Sequence, residues 1–154
     1  MYDIPDYKLQ TVYNGIDYNF RDPSTLDDQI IKKLKQEYNL NNSFVGLYFG
    51  RLGLAKGIDV VLQSIAGIVA KIPNYKQVFL VPKQQPSKIF GLKNSFDINQ
   101  IQDYIKQHKL EDHVVWIESC PREELKQRIG ASDVVILPTR AEGFGFAISE
   151  VCAL

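Results

Sequence analysis

The sequence predicts an α/β fold in which helices cover both faces of a doubly wound parallel sheet. Two observations support this prediction. Short, almost wholly apolar runs recur along the 154-residue chain, and segments with apolar residues at helical spacing lie between them. Continuous apolar runs bounded by turn residues are typical of strands that are buried on both faces of a sheet. Strands that alternate with helices form right-handed βαβ units and therefore a parallel sheet.

Residues 1–25 are predicted to be a lead-in or linker segment, and residues 26–154 to form the folded domain. The lead-in is rich in Asp, Asn, Tyr and Pro, with turn signals at Asn14-Gly15 and Asp22-Pro23. A short strand-like piece is predicted around Leu9 to Tyr13.

A surface helix is predicted in the segment TLDDQIIKKLKQEYNL, which begins at Thr25 and ends near Asn41 and Asn42. Two aspartates occupy its first turn and its lysines come later, as the helix dipole favours. The apolar residues at helical spacing are Leu26, Ile30, Leu34 and Tyr38.

Four strands are predicted after this helix, in the runs FVGLYFG (44–50), VFLVP (78–82), VVWI (114–117) and DVVILP (133–138). Helical apolar stripes lie between them, formed by Ile58, Val61, Leu62, Ile65, Ile68, Val69 and Ile72, by Ile98, Ile101 and Ile105, and by Leu125 with Ile129. A long polar loop is predicted over residues 82–96. Ligands of such sheets bind outside the carboxyl ends of the strands, so the residues after each strand are the candidate site.

Composition excludes several classes of function. Eighteen basic side chains balance eighteen acidic ones, so nucleic acid is not an expected partner and any anion site must be local. Two cysteines, Cys120 and Cys152, are too few for a disulfide framework or a metal site. The amino terminus has no signal-peptide pattern, and no apolar run approaches the ~18 residues of a membrane span. A soluble, cytoplasmic domain is therefore expected.

The loop after the first strand, GRLGLAKG, is a candidate phosphate site. Arg51 and Lys56 lie between Gly50 and Gly57, directly before the next helix. Two cations and the free N–H groups of a helix start suit a phosphate group. The alternative is that both are solvated loop charges, which is the usual state of such residues.

The loop after the last strand, TRAEGFGFAISE, carries two glutamates around a glycine turn. Gly143 and Gly145 allow close approach to a ligand and open the final helix, which is predicted to begin near Gly145. Glu142 then lies in the loop, and Glu150 about two turns into the helix, facing the same crevice. Carboxylates suit sugar and ribose hydroxyls. The alternative is an exposed loop acid and a solvated helix residue.

Other motifs carry weaker signals. GFGFAI lacks the third glycine of a dinucleotide fingerprint because Ile148 stands in its place. His108 and His113 have no nearby cysteine or third histidine to complete a metal site, and Trp116, inside a strand, is predicted to be core. No Asp-x-Asp pair is present to hold a metal on a diphosphate.

The motifs GRLGLAKGID, ASDVVILPTRAEGFGFAISE and VYNGID together resemble the nucleotide-sugar-binding half of a GT-B glycosyltransferase of the large group 1 (GT4) family. The resemblance covers residues 11–154 and implies a Rossmann-like domain. Its most specific element is the E-x7-E motif from Glu142 to Glu150. Asp133 before an apolar strand that ends at Pro138, and the separation of Arg51 from Lys56, support it.

The resemblance implies a role for each site residue. Arg51 and Lys56 would hold the donor's diphosphate and stabilise the leaving nucleotide, and Glu142 would face the donor sugar; these three are the expected catalytic residues. Glu150 would bind the ribose. The backbone at Gly143, Phe144 and Gly145, with Gly50 in the opposite loop, would contact sugar and phosphate. The resemblance also implies that a nucleotide-diphosphate sugar is the donor substrate and that the sugar is transferred with retention of configuration. The family needs no metal, so no cofactor is expected.

The chain also departs from the family pattern. PKQQP follows the strand at 78–82 where the family commonly has a glycine-bearing loop, and the family continues beyond EVCAL. The acceptor-binding amino-terminal domain is missing, so a C-terminally truncated, inactive fragment is expected, with membrane association only through the missing half. Residues 119–122 lie where the family contacts the base but indicate no base preference. The alternative function is a non-catalytic nucleotide-binding or interaction domain.

Overall fold

A computed structural model describes residues 5–17, 20, 22–82 and 98–154 of the chain. Four strands and five helices form the fold over these ranges. The strands are Phe44–Phe49 (β1), Tyr75–Val81 (β2), Val114–Glu118 (β3) and Val134–Val135 (β4). The helices are Asp28–Glu37 (α1), Ile58–Val69 (α2), Ile98–Gln107 (α3), Arg122–Gly130 (α4) and Phe146–Cys152 (α5).

The strands form one parallel sheet in the order β3-β2-β1-β4. In its register, Leu47 of β1 lies between Val78 of β2 and Val135 of β4. The chain extends the sheet in one direction from β1 to β3 and then returns to the other side of β1 for β4. The switch point between β1 and β4 is where open α/β sheets bind their ligands. The predicted Rossmann-like α/β fold is confirmed.

Helices pack on both faces of the sheet and create two cores. On one face, the predicted stripe of α2 and the Ile101 and Ile105 side chains of α3 pack against Tyr48 and Phe79. Ile98, which was predicted to belong to the α3 stripe, is exposed. On the other face, α4 and α5 pack against the opposite side chains of β1 and β2, together with Phe20 from the segment before α1. Because alternate residues of β1 enter different cores, the strand is apolar throughout, as the sequence pattern indicated.

The predicted apolar stripe of α1 is wrong at one position. Ile30 is 45% exposed. Leu26 and Ile31 instead pack against Gly130 of α4, where an added Cβ would lie 3.0 Å from Leu26 and 3.1 Å from Ile31. The Gln127 side chain accepts a hydrogen bond from the Asp27 amide and donates one to the Thr25 carbonyl. These contacts fix the start of α1 on α4 and turn Ile31, rather than Ile30, toward the protein.

Strand β4 is shorter than predicted, covering Val134–Val135 instead of 133–138. The Ile136 amide still donates to the Leu47 carbonyl. Pro138 has no N–H group to continue the ladder, and the Thr139 amide donates to the Leu137 carbonyl, so the chain turns there. At the start of the strand, Asp133 exchanges two hydrogen bonds with the backbone of Val45.

Two further predictions concern loops. The strand-like piece around Leu9 to Tyr13 is wrong, because this segment has no strand pairing and its side chains are exposed. Most of the predicted polar loop at 82–96 lies outside the described residues. No helix within the described ranges has the length and apolar character needed to cross a membrane.

Gly57 is the point at which the loop after β1 meets the end of β4. It precedes α2 with a φ of 72°, in the left-handed region, and a Cβ at this position would lie 2.0 Å from the Pro138 carbonyl oxygen. No real side chain can occupy that space. The two chain segments therefore approach each other this closely only because residue 57 is glycine.

We expect Gly57→Ala to lower the free energy of unfolding by about 2–4 kcal/mol, from the left-handed backbone and the steric overlap together. Gly67→Ala is the matched control. Gly67 is an exposed α2 residue with no atom within 4 Å of an added Cβ, so this change should stabilise by about 0.5–1 kcal/mol. Urea unfolding measures both free energies. Equal changes in the free energy of unfolding for Gly57→Ala and Gly67→Ala would contradict the close contact between Gly57 and Pro138.

Candidate functional site

The loops that follow β1 and β4 are joined at the switch point of the sheet. The Arg140 amide donates to the Ala55 carbonyl at 2.8 Å, and the Thr139 hydroxyl donates to the same oxygen at 3.0 Å. The Arg140 guanidinium donates to the Leu54 carbonyl at 2.6 Å. These bonds, with the contact at Gly57, hold the two loops side by side.

An ion pair between Arg140 and Asp59 reinforces this junction. Both carboxylate oxygens of Asp59, in the first turn of α2, accept hydrogen bonds from the guanidinium, at 2.7 and 2.6 Å. The hydrogen bond from Arg140 lowers the pKa of Asp59 and raises that of Arg140. Neither residue is among those predicted from the sequence. One feature of the sequence could have indicated the pair: Asp59 and Arg140 carry opposite charges and follow two strands, β1 and β4, whose ends a parallel sheet brings to the same edge.

Lys56 and Glu142 meet across the same junction. Lys56 Nζ lies 2.5 Å from Glu142 Oε1, and the side chains are 30% and 25% exposed. The hydrogen bond from Lys56 lowers the pKa of Glu142, and the positive charges of Lys56 and Arg51 lower it further. Glu142 is therefore ionised at neutral pH. Of the three residues predicted to be catalytic, the structure pairs Lys56 with Glu142, and the charge of Arg51 lies near enough to act on the Glu142 carboxylate.

Arg51 differs from Lys56 in having an uncommitted side chain. Its backbone carbonyl accepts a 2.8 Å hydrogen bond from the Tyr48 hydroxyl, and burial raises the pKa of that tyrosine, which keeps it a donor. The exposed guanidinium forms no hydrogen bond or ion pair with any residue in the described part of the chain. Open space surrounds the neighbouring Gly50. Arg51 can therefore receive an anion without breaking an existing bond.

The glycine turn between the glutamates exposes its backbone at Gly143 and buries Gly145. Gly143 is exposed, with no atom within 4 Å of where a Cβ would stand. Gly145 precedes α5 in the left-handed region, at a φ of 79°. The rings of Phe144 and Phe146 pack against each other with centroids 4.8 Å apart, and both are exposed. Open space at Gly143 leaves room for a ligand, and the role of the turn in binding stays a prediction.

Glu150 contacts a different cation from Glu142. It is buried in the second turn of α5, where Arg122 donates a hydrogen bond to its Oε1. Arg122 begins α4, just after β3, and its guanidinium lies 5.6 Å from the ring centroid of Phe20. Arg122 belongs to the segment 119–122 that was expected near the base, but its pairing with Glu150 was not predicted, because no local sequence pattern connects it to α5. Each glutamate of the motif is thus held by a cation from another loop.

The remaining candidates lie away from this junction. His113 Nδ1 is 2.8 Å from the Tyr75 carbonyl oxygen, and His108 packs on Tyr104. Trp116 stacks on Phe79 with the ring centroids 4.7 Å apart and packs against the first core. Over the described ranges, no three His, Cys, Asp or Glu residues lie together as metal ligands. The metal-free reaction stays a prediction.

Comparison with known sequences identifies a family. A model of the family described as Glycosyl transferases group 1 matches residues 30–154. Spore coat protein SA of Bacillus subtilis is 27% identical over 136 residues, which cover 84% of this chain and 33% of that protein. The O-antigen biosynthesis glycosyltransferase WclY of Escherichia coli is 26% identical over 150 residues, 96% of this chain and 35% of that protein. The chain thus spans about a third of these relatives.

Solved structures with the same fold are glycosyltransferases and related proteins. A glycosyltransferase of Rickettsia africae superposes with a TM-score of 0.76 at 18% identity, over 97% of this chain and 37% of that one. Anabaena HepE, solved in complex with UDP and glucose, superposes with a TM-score of 0.72 at 24% identity, over 94% of this chain and 35% of that one. At these identities the likeness supports the fold alone.

We expect Lys56→Gln to raise the pH at which Glu142 titrates. In the wild-type chain its pKa lies below the ordinary glutamate range, chiefly because of Lys56. The pair therefore stabilises the fold above the ordinary glutamate pKa, and this contribution is lost as the pH falls through the lowered value. Carbon-13 NMR of the Glu142 carboxyl measures the midpoint.

Lys71→Gln serves as the control for this titration, because Lys71 is an exposed lysine just beyond the end of α2. It should leave the Glu142 midpoint unchanged. The same midpoint in the wild-type chain and in Lys56→Gln would show that the pair does not form in solution.

Proposed function

Since the chain belongs to the group 1 glycosyltransferase family, we propose that it forms the nucleotide-sugar-binding part of an enzyme that transfers a sugar to an acceptor. The donor would be a nucleotide-diphosphate sugar. The observation that carries the proposal is the meeting of Arg51, Lys56 and Glu142 between the loops after β1 and β4. Two cations and a carboxylate at the switch point match the charges of a diphosphate and the hydroxyls of a sugar.

Arg51 and Lys56 would bind the donor's diphosphate. Negative charge grows on the leaving nucleotide as its bond to the sugar breaks, and fixed cations lower the energy of that transition state. Arg51 is available at once, whereas Lys56 is paired with Glu142. Donor binding would therefore move Lys56 from a carboxylate to a phosphate. These cations would replace a metal ion, in keeping with the metal-free reaction expected from the sequence.

Glu142 would face the donor sugar. Its lowered pKa keeps it ionised, so it can accept hydrogen bonds from sugar hydroxyls. An ionised carboxylate also stabilises the positive charge that develops on the sugar during glycosyl transfer. Once Lys56 engages the diphosphate, Glu142 is freed for both tasks. Transfer with retention of configuration is part of this proposal.

Glu150 would bind the ribose of the nucleotide. Arg122 occupies Oε1 in the free chain, and Oε2 retains lone pairs for ribose hydroxyls. The backbone of Gly143, Phe144 and Gly145, together with Gly50, would contact sugar and phosphate. The open space at Gly143 supports this close approach.

The named relatives support a sugar-nucleotide donor and a role in glycan assembly. Anabaena HepE has been solved with UDP and also with UDP-glucose, and WclY is named for O-antigen biosynthesis. UDP is therefore the first nucleotide to test. Because the chain spans about a third of its relatives, we propose that the acceptor site lies in the remaining part and that this chain alone is inactive.

A non-catalytic nucleotide-binding or interaction domain is the second candidate. One observation favours keeping it: the relative at 27% identity is named as a spore coat protein, which is not the name of an enzyme. Such a protein would keep the nucleotide site and lose the need for Glu142 in catalysis. Measurements of nucleotide binding and of turnover distinguish the two candidates.

We expect the folded chain to bind at least one of UDP, GDP and ADP, and Arg51→Ala and Glu150→Ala each to weaken binding by about tenfold or more, as loss of a charge-assisted contact does. Isothermal titration calorimetry measures both. Lys71→Ala, an exposed change outside the loops, should bind like the wild type. Binding of none of the three nucleotides, or binding as tight as that of the wild type in both Arg51→Ala and Glu150→Ala, would contradict the assigned site.

In a full-length parent enzyme, we expect Glu142→Gln and Lys56→Ala to lower kcat by ~10²-fold or more, because both groups act on charge that develops in the transition state. Release of nucleotide from the sugar donor measures turnover. Near-normal turnover in both variants, with nucleotide binding retained, would favour the non-catalytic candidate. The isolated chain should show no transfer, and measurable transfer would mean that the rest of the protein is dispensable.

A further inference from the structure

We infer that Arg140 is a positioning residue of the donor site, held by Asp59 so that Lys56 and Glu142 meet at the correct distance. The inference rests on the proposed function, because it assigns a purpose to the junction between the loops. It concerns two residues that the E-x7-E pattern and the phosphate-binding cations do not include. Arg140 would contact neither the nucleotide nor the sugar.

The contacts of Arg140 surround Lys56 in the sequence. Its guanidinium binds the Leu54 carbonyl and the Asp59 carboxylate, and its amide binds the Ala55 carbonyl. Lys56 lies between these points, within a loop that Arg140 holds on both sides. Glu142 follows Arg140 by two residues. Arg140 therefore adds to the Thr139 and Gly57 contacts that place the loop carrying the cation beside the loop carrying the carboxylate.

The geometry argues against a direct role for Arg140 in binding an anion. One terminal nitrogen donates to Leu54 and to Asp59, and the other donates to Asp59. A two-pronged bond between a guanidinium and a carboxylate is directional, and an ammonium group cannot reproduce it. The carboxylate also neutralises the charge of Arg140. Arg51, with its side chain uncommitted among the described residues, has the opposite properties.

The exposure of the Arg140–Asp59 pair predicts that its loss affects the donor site more than the stability of the fold. Arg140 and Asp59 are 49% and 20% exposed, and pairs near the surface contribute little to global stability. Small errors in the placement of catalytic groups, by contrast, are costly. Loss of the pair should therefore change the donor site much more than the resistance of the chain to urea. A purely structural ion pair would show no such separation.

The test measures UDP binding to the 154-residue chain and its Arg140→Ala, Arg140→Lys and Asp59→Asn variants. We expect each to bind UDP about tenfold more weakly, because each breaks the two-pronged bond. The double variant Asp59→Asn/Arg140→Ala should bind UDP no more weakly than whichever of its two single variants binds more weakly, because both changes remove the same pair. Glu124→Gln is the matched control: it removes the carboxylate partner of another arginine, Arg128 of α4, and should leave binding unchanged.

Asp59→Asn separates positioning from charge. This change leaves Arg140 cationic and removes its neutralising partner. If Arg140 attracted the diphosphate by its own charge, Asp59→Asn would bind UDP more tightly than the wild type, and that result would overturn the inference. Binding unchanged in all three single variants would also overturn it.

Titration of the Glu142 carboxyl gives a second measurement that needs no nucleotide. In Arg140→Ala and in Asp59→Asn the midpoint should rise toward that of Lys56→Gln, because Lys56 and Glu142 would separate. Should the wild-type chain bind none of UDP, GDP and ADP, the proposed function fails, and this titration alone decides the inference. A midpoint unchanged in both variants would then overturn it, as would a loss of urea resistance as large as that in Gly57→Ala.

Discussion

The contact between Gly57 and the Pro138 carbonyl is the constraint on which the candidate site depends. Parallel strands bring the loops after β1 and β4 to one edge of the sheet, but adjacency does not by itself make the loops touch. The absence of a side chain at residue 57 removes the obstacle. Thr139 and Arg140 then lie close enough to bond the Ala55 carbonyl. Backbone sterics therefore set the geometry on which the ion pairs are built.

Charges at the junction are balanced locally, as they are over the whole chain. Lys56 is paired with Glu142, Arg140 with Asp59 and Arg122 with Glu150. A ligand that entered this site would exchange one partner for another instead of meeting bare charges. The net gain from each exchange would be smaller than the contact itself suggests, because an existing bond is lost. Arg51 is the cation here for which no such exchange is needed.

Much of the fold follows from patterns that are local in the sequence. Apolar runs located β1 to β4, and the rule for parallel sheets brought Arg51, Lys56 and Glu142 to the same edge. Patterns of this kind do not specify contacts between distant segments. The turn of α1 that points Ile31 instead of Ile30 toward α4 depends on Gln127, about a hundred residues away. The partners of Glu150 and Asp59 likewise come from other elements, and a helical or strand period contains no information about them.

The stack of Trp116 on Phe79 gives the chain a convenient optical reporter. Trp116 is the only tryptophan, and it belongs to β3, which β2 separates from the junction between β1 and β4. Its fluorescence should therefore follow the integrity of the core beneath α2 and α3. A loss of structure in this core can thus be followed in solution without an added label.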